Sequence, residues 1–288
     1  MNVLNNKIAI VTGATKGLGF EVAKKFFKNG AKLALCSRSI KDLFEVKHIL
    51  AGNTDSHILI SQVDVSKPQD VNNFVEKVKD RFGTIDILFN NAGVYGPKGI
   101  FESCDLDEWV RTIEINLIGS AYVLKAVIPH MKQQKSGKII QVAGGGAATN
   151  FPRFSAYATS KIGVVRLSEI LSSELKEFGV HINSIAPGFL KTRLLEEVLN
   201  SRPEVVGLDF YEKCLTLKKT SSDCFNLPSE LALFLASNKS DGITGKFISA
   251  VWDAWDLFPD HLSELMDCDI YTLRRIIGKD RNNKLFDL

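Results

Sequence analysis

The chain carries a glycine-rich stretch, TGATKGLG, at residues 12–19. The residues before it, Ile8 to Val11, are apolar, branched and uninterrupted, which is typical of a strand buried on both faces. After it, apolar residues recur at helical spacing until Asn29 and Gly30. The stretch therefore predicts a turn between a buried strand and a helix. The free N–H groups and positive dipole end of such a helix form an anion site.

Three glycines of this turn have separate predicted roles. Gly13 allows the sharp turn, Gly17 lets the backbone approach a pyrophosphate, and Gly19 lets the helix pack closely on the sheet. Their spacing, G-x-x-x-G-x-G, differs from the common dinucleotide fingerprint G-x-G-x-x-G, and glycines at this spacing also occur in ordinary loops. Their position between a strand and a helix favours a phosphate-binding turn.

The residues after the second predicted strand, 32–36, indicate which dinucleotide the turn binds. An NAD site would place an acidic residue there for the ribose hydroxyls, but the chain has Ser37, Arg38 and Ser39. Arg38 can bind a 2′-phosphate through its fork of N–H groups, and Lys16 adds a second positive charge. We therefore predict NADP(H) in preference to NAD(H). The alternative is that both residues are solvated surface charges.

Strands and helices alternate along most of the chain. The sequence predicts a Rossmann-type α/β fold, a doubly wound parallel sheet of seven strands with helices on both faces and a ligand crevice at the carboxyl ends of the strands. The simplest division is one domain at residues 1–251. After the first two, strands are predicted at residues 57–63, 85–89, 138–142, 181–185 and 246–251, and helices at 68–82, 105–131, 155–178 and 228–237.

Composition limits the classes of partner. The net charge of +3 is too small to indicate a nucleic-acid partner. No apolar run approaches the roughly 20 residues that span a bilayer, and the first residues do not resemble a leader peptide, so we expect no membrane partner and a cytoplasmic location. The 5 cysteines are scattered and have no metal-ligand spacing, so no metal site is predicted.

Several short motifs occur in a fixed order along the chain. They are the turn at 12–19, Asp64, the sequence NNAG at 90–93, Asn116, Tyr157 followed four residues later by Lys161, and Pro187-Gly188 followed by Thr192. Together they resemble the short-chain dehydrogenase/reductase family in its standard-length, single-domain form, over roughly residues 7–251. The resemblance implies an oxidoreductase that transfers a hydride between a nicotinamide cofactor and a small secondary alcohol or ketone.

The resemblance also implies roles for individual residues. Asp64 would hold the adenine edge, Asn90 would support the ribose region, and Thr192 would contact the nicotinamide carboxamide. The implied catalytic residues are Asn116, Tyr157 and Lys161, and the implied cofactor-binding residues are Gly13, Thr15, Lys16, Gly17, Leu18, Gly19, Ser37, Arg38, Asp64, Val65, Asn90, Ala92, Gly93, Tyr157, Lys161, Pro187, Gly188 and Thr192.

Tyr157 would exchange a proton with the substrate oxygen. A free tyrosine has a pKa of about 10, so this exchange needs help near neutral pH. Lys161 projects from the same helix face, and its charge, like that of an oxidised nicotinamide, favours the phenolate. Asn116 would anchor a proton-relay water.

The chain departs from the family at one catalytic position. The family normally has a serine about thirteen residues before the tyrosine, but here Gly144 stands at that spacing and Ala143 is beside it. The backbone N–H groups of residues 144–146, or the hydroxyls of Thr149 or Ser155, are candidate replacements. Restoring a serine at 144 or 143 is predicted to raise the rate. The alternative function is a catalytically impaired, dinucleotide-binding regulatory or scaffold protein.

Two further segments are expected to shape the substrate site. Residues 189–227 lose regular periodicity and are predicted to form an irregular substrate lid. Residues 252–288 form a C-terminal extension, packed on the same domain or on a partner subunit, whose apolar residues would cover the substrate mouth, contact another subunit or simply fill the core. The resemblance implies self-association through the two long helices, as a homodimer or homotetramer.

Overall fold

Strand β1 (Ile8–Thr12) is buried along its whole length. Ala9 and Val11 contact one apolar layer, whereas Ile8 and Ile10 contact the other, as alternation along a strand requires. In the computed structural model, which describes residues 2–52, 57–220 and 223–281, this strand lies near the middle of a seven-stranded sheet.

The sheet is parallel throughout, and its strand order is β3-β2-β1-β4-β5-β6-β7. The order reverses between β1 and β4, which opens a crevice at the carboxyl ends of these strands. The predicted Rossmann-type fold is therefore confirmed. The remaining strands are β2 (Lys32–Ser37), β3 (Ile58–Gln62), β4 (Ile87–Asn90), β5 (Gly137–Val142), β6 (Val180–Ala186) and β7 (Phe247–Ser249).

Helices cover both faces of this sheet. They are α1 (Gly17–Lys28), α2 (Ile40–Ala51), α3 (Pro68–Phe82), α4 (Leu106–Ile113), α5 (Gly119–Gln134), α6 (Ser155–Leu175), α7 (Arg193–Leu199), α8 (Pro203–Val206), α9 (Leu208–Lys219), α10 (Asn226–Ala236) and α11 (Leu262–Met266). One apolar layer includes Phe26 of α1 and Leu231 of α10, and the other includes Phe74 of α3 and Val127 of α5. The site is thus carried by a sheet that is packed on both sides.

Local sequence explains where several helices begin and end. Ser39 caps α2 by accepting a hydrogen bond from the backbone N–H of Asp42, at 3.2 Å. Helix α3 begins with Pro68 and ends before Gly83, whose φ of 81° is the left-handed conformation that favours glycine. Asp105 caps α4 through the N–H of Glu108, at 3.0 Å.

The single helix predicted at residues 105–131 is divided. Helices α4 and α5 are joined by one turn of π-helix at Glu114–Ile118, which contains the fully buried Asn116. The continuous helical stretch Leu106–Gln134 is long and apolar enough to cross a membrane by length and composition alone, and 39% of its most apolar window is buried inside the fold. Core helices of soluble proteins meet the same criterion.

The expectation that residues 189–227 are irregular was wrong. Helices α7, α8 and α9 occupy much of this segment, although residues 221–222 lie outside the described residues. Helix α7 has only 7 residues and α8 only 4, so the helical period hardly repeats before each ends. Gly207, with a φ of 91°, separates α8 from α9.

The described part of the C-terminal extension packs on the sheet layer that contains α10. Phe258 and Leu265 are buried in that layer, and the Trp255 ring lies 5.5 Å from the ring of Phe234. Trp252 differs from these residues because it is 86% exposed. Residues 282–288 of the extension lie outside the described residues.

Candidate active site

The glycine-rich turn closes tightly against the start of α1. A Cβ atom on Gly19 would overlap the carbonyl oxygen of Gly13, and one on Gly17 would lie 3.0 Å from the Thr192 methyl carbon. Helix α1 has no side-chain cap and no acidic residue in its first turn. Its first N–H groups are therefore available to an anion, so the residues present fit a pyrophosphate.

A cavity of about 620 Å³ extends from this turn along the carboxyl ends of the strands. Its volume lies within the range of small-molecule sites. The cavity contains most of the residues that the sequence singled out, namely Gly13, Thr15, Lys16, Gly17, Leu18, Ser37, Arg38, Asp64, Val65, Ala92, Gly93, Tyr157, Lys161, Pro187, Gly188 and Thr192.

Three of the predicted site residues lie behind the cavity lining. Gly19 packs against the turn, as described above. Asn90 is buried, accepts a hydrogen bond from the Thr12 hydroxyl at 3.1 Å and donates to the carbonyl of Ser120 at 3.2 Å. Asn116 is the third, and its side chain is also fully occupied by contacts within the protein.

Asn116 fixes the loop that follows β4. Its Oδ1 accepts from the N–H of Val94 at 2.9 Å, and its Nδ2 donates to the carbonyl of Val94 at 2.9 Å. The same Nδ2 lies 2.9 Å from the Ser160 hydroxyl on α6. These bonds therefore occupy the side-chain amide of the residue to which the sequence resemblance assigned a proton-relay water.

Tyr157 and Lys161 lie in the first turns of α6 and face the cavity. The Tyr157 hydroxyl lies 3.4 Å from the carbonyl of Ala143, and Lys161 Nζ donates to the carbonyl of Val142 at 2.8 Å. Burial raises the pKa of Tyr157 to about 12 and lowers the pKa of Lys161 to about 8. The sequence predicted that Lys161 would lower the tyrosine pKa. In the described structure, removal of water from the phenol is the larger effect.

Charged groups meet at the far end of the cavity, next to the turn. Lys16 Nζ lies 3.2 Å from an Asp42 carboxylate oxygen, and Arg38 lines the same region. The hydrogen bond from Lys16, followed by that from Ser39, lowers the pKa of Asp42. The sequence analysis missed this carboxylate because an NAD-type acidic residue was expected directly after β2. Asp42 instead lies in the first turn of α2.

Asp64 is held by its neighbours at the same end. Ser66 donates to its Oδ1 from both the backbone N–H, at 3.0 Å, and the hydroxyl, at 2.6 Å. Arg111 reaches its other oxygen at 3.1 Å. Burial opposes ionisation, but the Ser66 hydrogen bonds and the Arg111 charge together lower the pKa of Asp64. The carboxylate is therefore ionised at neutral pH.

Aromatic residues at the Tyr157 end of the cavity were also missed by sequence reasoning. Tyr95, Phe151 and Phe210 line it, together with Phe189 and Trp252. The predicted substrate lid at residues 189–227 includes Phe189 and Phe210, and the predicted C-terminal extension includes Trp252, but the sequence assigned no wall of rings to them. These residues lie far apart in the sequence and follow no motif, so their convergence required the fold.

Comparisons with known proteins agree with this arrangement. The sequence model of the family described as "short chain dehydrogenase" matches residues 7–203, which is more than half of the chain. The chain belongs to the short-chain dehydrogenase family. Oxidoreductases of this family use a nicotinamide cofactor.

Individual short-chain dehydrogenases match most of the chain. D-beta-hydroxybutyrate dehydrogenase of Rhizobium meliloti is 32% identical over 257 residues, covering 84% of this chain and 96% of that protein. The 3-oxoacyl-(acyl-carrier-protein) reductase FabG of Chlamydia muridarum is 34% identical over 252 residues, covering 86% and 97%. The crystal structure of levodione reductase has a TM-score of 0.77 at 28% identity, covering 85% and 96%. That of NAD⁺-bound xylitol dehydrogenase has a TM-score of 0.75 at 26% identity, covering 85% and 98%.

Gly144 stands at the spacing where the sequence resemblance led us to expect a serine. Gly144 has a φ of 154°, and a Cβ atom there would lie 2.9 Å from the Tyr157 hydroxyl. Of the two hydroxyls considered as replacements, that of Thr149 lines the cavity but donates to the carbonyl of Gly145 at 2.9 Å. That of Ser155 accepts from the indole N–H of Trp109 at 3.1 Å and lies outside the cavity lining.

Proposed function

We propose that this chain is an NADP(H)-dependent oxidoreductase that transfers a hydride between the nicotinamide and a secondary alcohol or ketone, with Tyr157 as the acid/base. One observation carries the proposal. The half-buried Tyr157 and the buried Lys161 lie in the same cavity as the glycine-rich turn. A nicotinamide nucleotide bound there supplies or accepts the hydride. The turn and the first N–H groups of α1 hold its phosphates, and Thr192 lies beside the turn.

The protonation state of Tyr157 supports a role in carbonyl reduction. With a pKa of about 12, its side chain is a neutral phenol at pH 7 and can donate its proton to the substrate oxygen. Lys161, with a pKa of about 8, is still mostly charged at that pH and stabilises the phenolate left behind. In the oxidation direction, the same lysine helps the phenol to lose its proton.

The preference for NADP(H) rests on Arg38 and Lys16. Both line the cavity next to the turn, where a 2′-phosphate would accept charge-assisted hydrogen bonds. Asp42 acts against this preference because its carboxylate repels a phosphate and occupies Lys16. We propose that binding of the 2′-phosphate draws Lys16 away from Asp42, and that Asp42 limits the discrimination against NAD(H).

The second candidate function is a dinucleotide-binding regulatory or scaffold protein. It is favoured by the absence of a hydroxyl at Gly144, since removal of one such donor typically lowers a rate by about 10²–10³. The free backbone N–H groups that begin the 3₁₀ turn Gly145–Ala147 are our proposed replacement. Retention of Tyr157 and Lys161 in the cavity favours the enzyme.

The deciding experiment measures NADPH oxidation with a panel of ketones. We expect turnover that falls by about 10²–10⁴ in Tyr157→Phe, because the general acid is lost, with little change in the dissociation constant for NADPH by calorimetry. Tyr122→Phe is the matched control, because Tyr122 is a residue of α5 that is partly buried in the apolar layer of α3 and α5, outside the cavity lining. Tight NADPH binding without turnover of any ketone would support the regulatory protein instead.

We also propose that the protein self-associates through its long helices, as a homodimer or homotetramer in the cytoplasm. The proposal is supported by large aliphatic side chains on the outer surface of this region. Ile118 is 40% exposed, Ile162 is 45% exposed and Ile170 is 50% exposed. Burial of such side chains against a second copy would remove apolar surface from water.

A further inference from the structure

The end of the cavity beyond Tyr157 is bounded by a series of aromatic rings, which we call the aromatic wall: Tyr95, Phe151, Phe189 and Phe210. The Tyr95 ring lies 4.8 Å from that of Tyr157 in an edge-to-face arrangement. Phe210 lies 5.0 Å from Phe151 and 5.8 Å from Phe189, between their centroids. The aromatic wall therefore runs from the proposed acid/base outward to the cavity mouth.

The aromatic wall is held in place from behind. Phe154 is fully buried and stacks on Phe151, with centroids 4.4 Å apart and planes within 8°. Phe154 also lies 5.2 Å from both Tyr95 and Phe210. Buried residues of the lid helices, including Leu195 and Cys214, join the same cluster. A ligand that contacts this wall meets rings that are already ordered, which lowers the entropic cost of binding.

The mouth of the cavity carries two further apolar surfaces. Phe189 is 56% exposed and Trp252 is 86% exposed, and both line the cavity. Exposed aromatic side chains at the opening of an apolar pocket are available to cover the outer part of a ligand. Flat rings stack on such side chains or meet them edge-on, and both arrangements are favourable.

The charged residues of the cavity do not provide a partner for an acidic substrate at this end. Among the described lining residues, the cations besides Lys161 are Lys16, Arg38 and Arg193. Lys16 and Arg38 lie next to the glycine-rich turn. Arg193 Nε is 3.2 Å from a Glu197 carboxylate oxygen, and Glu197 also pairs with Lys98 at 3.5 Å.

We infer that the substrate is an uncharged ketone or secondary alcohol that carries a planar ring. The inference rests on the proposed function, since it places the reacting oxygen at Tyr157. The aromatic wall would bury the ring, whereas a carboxylate held among these rings would meet no lining cation other than Lys161, at the reacting group, and Arg193, which already pairs with Glu197. Burial of an unpaired charge is strongly unfavourable.

Three ketones separate the contributions of ring and charge. They are 4-methylacetophenone, 4-acetylbenzoate, which has a carboxylate in place of the methyl group, and 2-butanone, which has no ring. Binding to protein saturated with NADP⁺ is measured by calorimetry, and reduction is measured with NADPH. We expect 4-methylacetophenone to bind, and its kcat/KM to exceed that of each of the other two by at least about tenfold.

Variants test whether the aromatic wall causes this preference. Phe210→Ala should lower kcat/KM for 4-methylacetophenone by about tenfold, because one ring contact is lost. It should leave the dissociation constant for NADP⁺ unchanged. Leu208→Ala is the matched control on the same helix, since Leu208 is 60% exposed and outside the cavity lining. An equal loss in both variants would contradict the role of the aromatic wall.

The outcomes distinguish this inference from the proposed function. If 4-acetylbenzoate or 2-butanone is the better substrate and its reduction depends on Tyr157, the substrate class is wrong and the proposed function stands. If NADP⁺ binds but 4-methylacetophenone binds no more tightly than the other ketones, the substrate class is also overturned. If folded protein binds neither nicotinamide nucleotide, the proposed function itself fails.

Discussion

Addition of a single methyl group at Gly144 should both destabilise the protein and slow its reaction. Gly144 has φ and ψ of 154° and 164°, a region that is essentially restricted to glycine. The added Cβ would also lie 2.9 Å from the Tyr157 hydroxyl. Gly144→Ala therefore changes the backbone preference and the position of the proposed acid/base at the same time.

Both effects have an expected size. A residue other than glycine held in this conformation costs on the order of 1–3 kcal/mol, which for a chain of this size lowers Tm by roughly 2–10 °C. Ordinary contact begins at 3.4 Å, so a Cβ at 2.9 Å must displace the hydroxyl by about 0.5 Å. Since a displacement of about 1 Å can reduce a rate about 10²-fold, we expect kcat to fall by about tenfold.

The assay is thermal unfolding together with kcat for the ketone that gives the fastest turnover. Gly145→Ala is the control, because a Cβ at Gly145 would meet no atom within 4 Å beyond its chain neighbours, its φ is not in the restricted range, and the substitution keeps the backbone N–H that we propose as a donor. Wild-type Tm and kcat in Gly144→Ala would refute the reasoning. So would equal losses in the two variants, because the effect would then not depend on the contact with Tyr157.

The same geometry reverses an expectation from the sequence. The family pattern predicts that Gly144→Ser restores a missing hydroxyl and raises the rate. In the structure, serine meets the same backbone restriction and the same crowding as alanine. We therefore expect Gly144→Ser to be slower than the wild type. The φ angle that decides this result is not visible in a motif.

Two further predictions concern charged groups. Asp42→Asn should strengthen binding of NADP⁺ relative to NAD⁺ by about threefold, because Lys16 is then free to bind the 2′-phosphate. Calorimetry with both nucleotides measures this ratio. Glu45→Gln, on the same helix but outside the cavity lining, is the control, and an unchanged ratio in Asp42→Asn would contradict the proposal. Burial lowers the pKa of Lys161 to about 8. Above pH 8, Lys161 loses the charge that stabilises the Tyr157 phenolate. We therefore expect kcat/KM for ketone reduction to be level below pH 8 and to fall above it. A pH–rate profile that stays level to about pH 10 would show that this charge is not needed.

The glycine-rich turn and the Tyr157–Lys161 pair could be located from the sequence because their signals are local. The turn at residues 12–19 is one continuous segment, and its position between a strand and a helix fixes its direction. Tyr157 and Lys161 share a helix face because they are four residues apart. The role of Asp42 was not predicted, although Asp42 lies only a few residues after β2. The first turn of α2 brings its carboxylate to Lys16, and this contact is not visible in the sequence.

The substrate half could not be predicted in the same way. Tyr95, Phe151 and Phe210 come from three separate segments, and only the tertiary fold brings their rings together. Helices α7 and α8 were missed because each is too short for its apolar period to repeat. Helix α9 has 12 residues, but its apolar residues lie both in the cluster around Phe154 and on the surface, where Leu208 is 60% exposed, so no single apolar face repeats along it.

The two asparagines that follow β4 show how a correct motif can have a different physical basis. The sequence placed these amides near a ligand, but both bond to the protein itself. The Thr12 hydroxyl donates to Asn90 and accepts from the N–H groups of Asn91 and Ala92, at 2.9 and 3.0 Å. Asn91 Nδ2 donates to the carbonyls of Thr12 and Gly13, at 3.0 and 3.2 Å. These bonds join the ends of β1 and β4 where the strand order reverses, so the amides fix the position of the glycine-rich turn at the edge of the crevice.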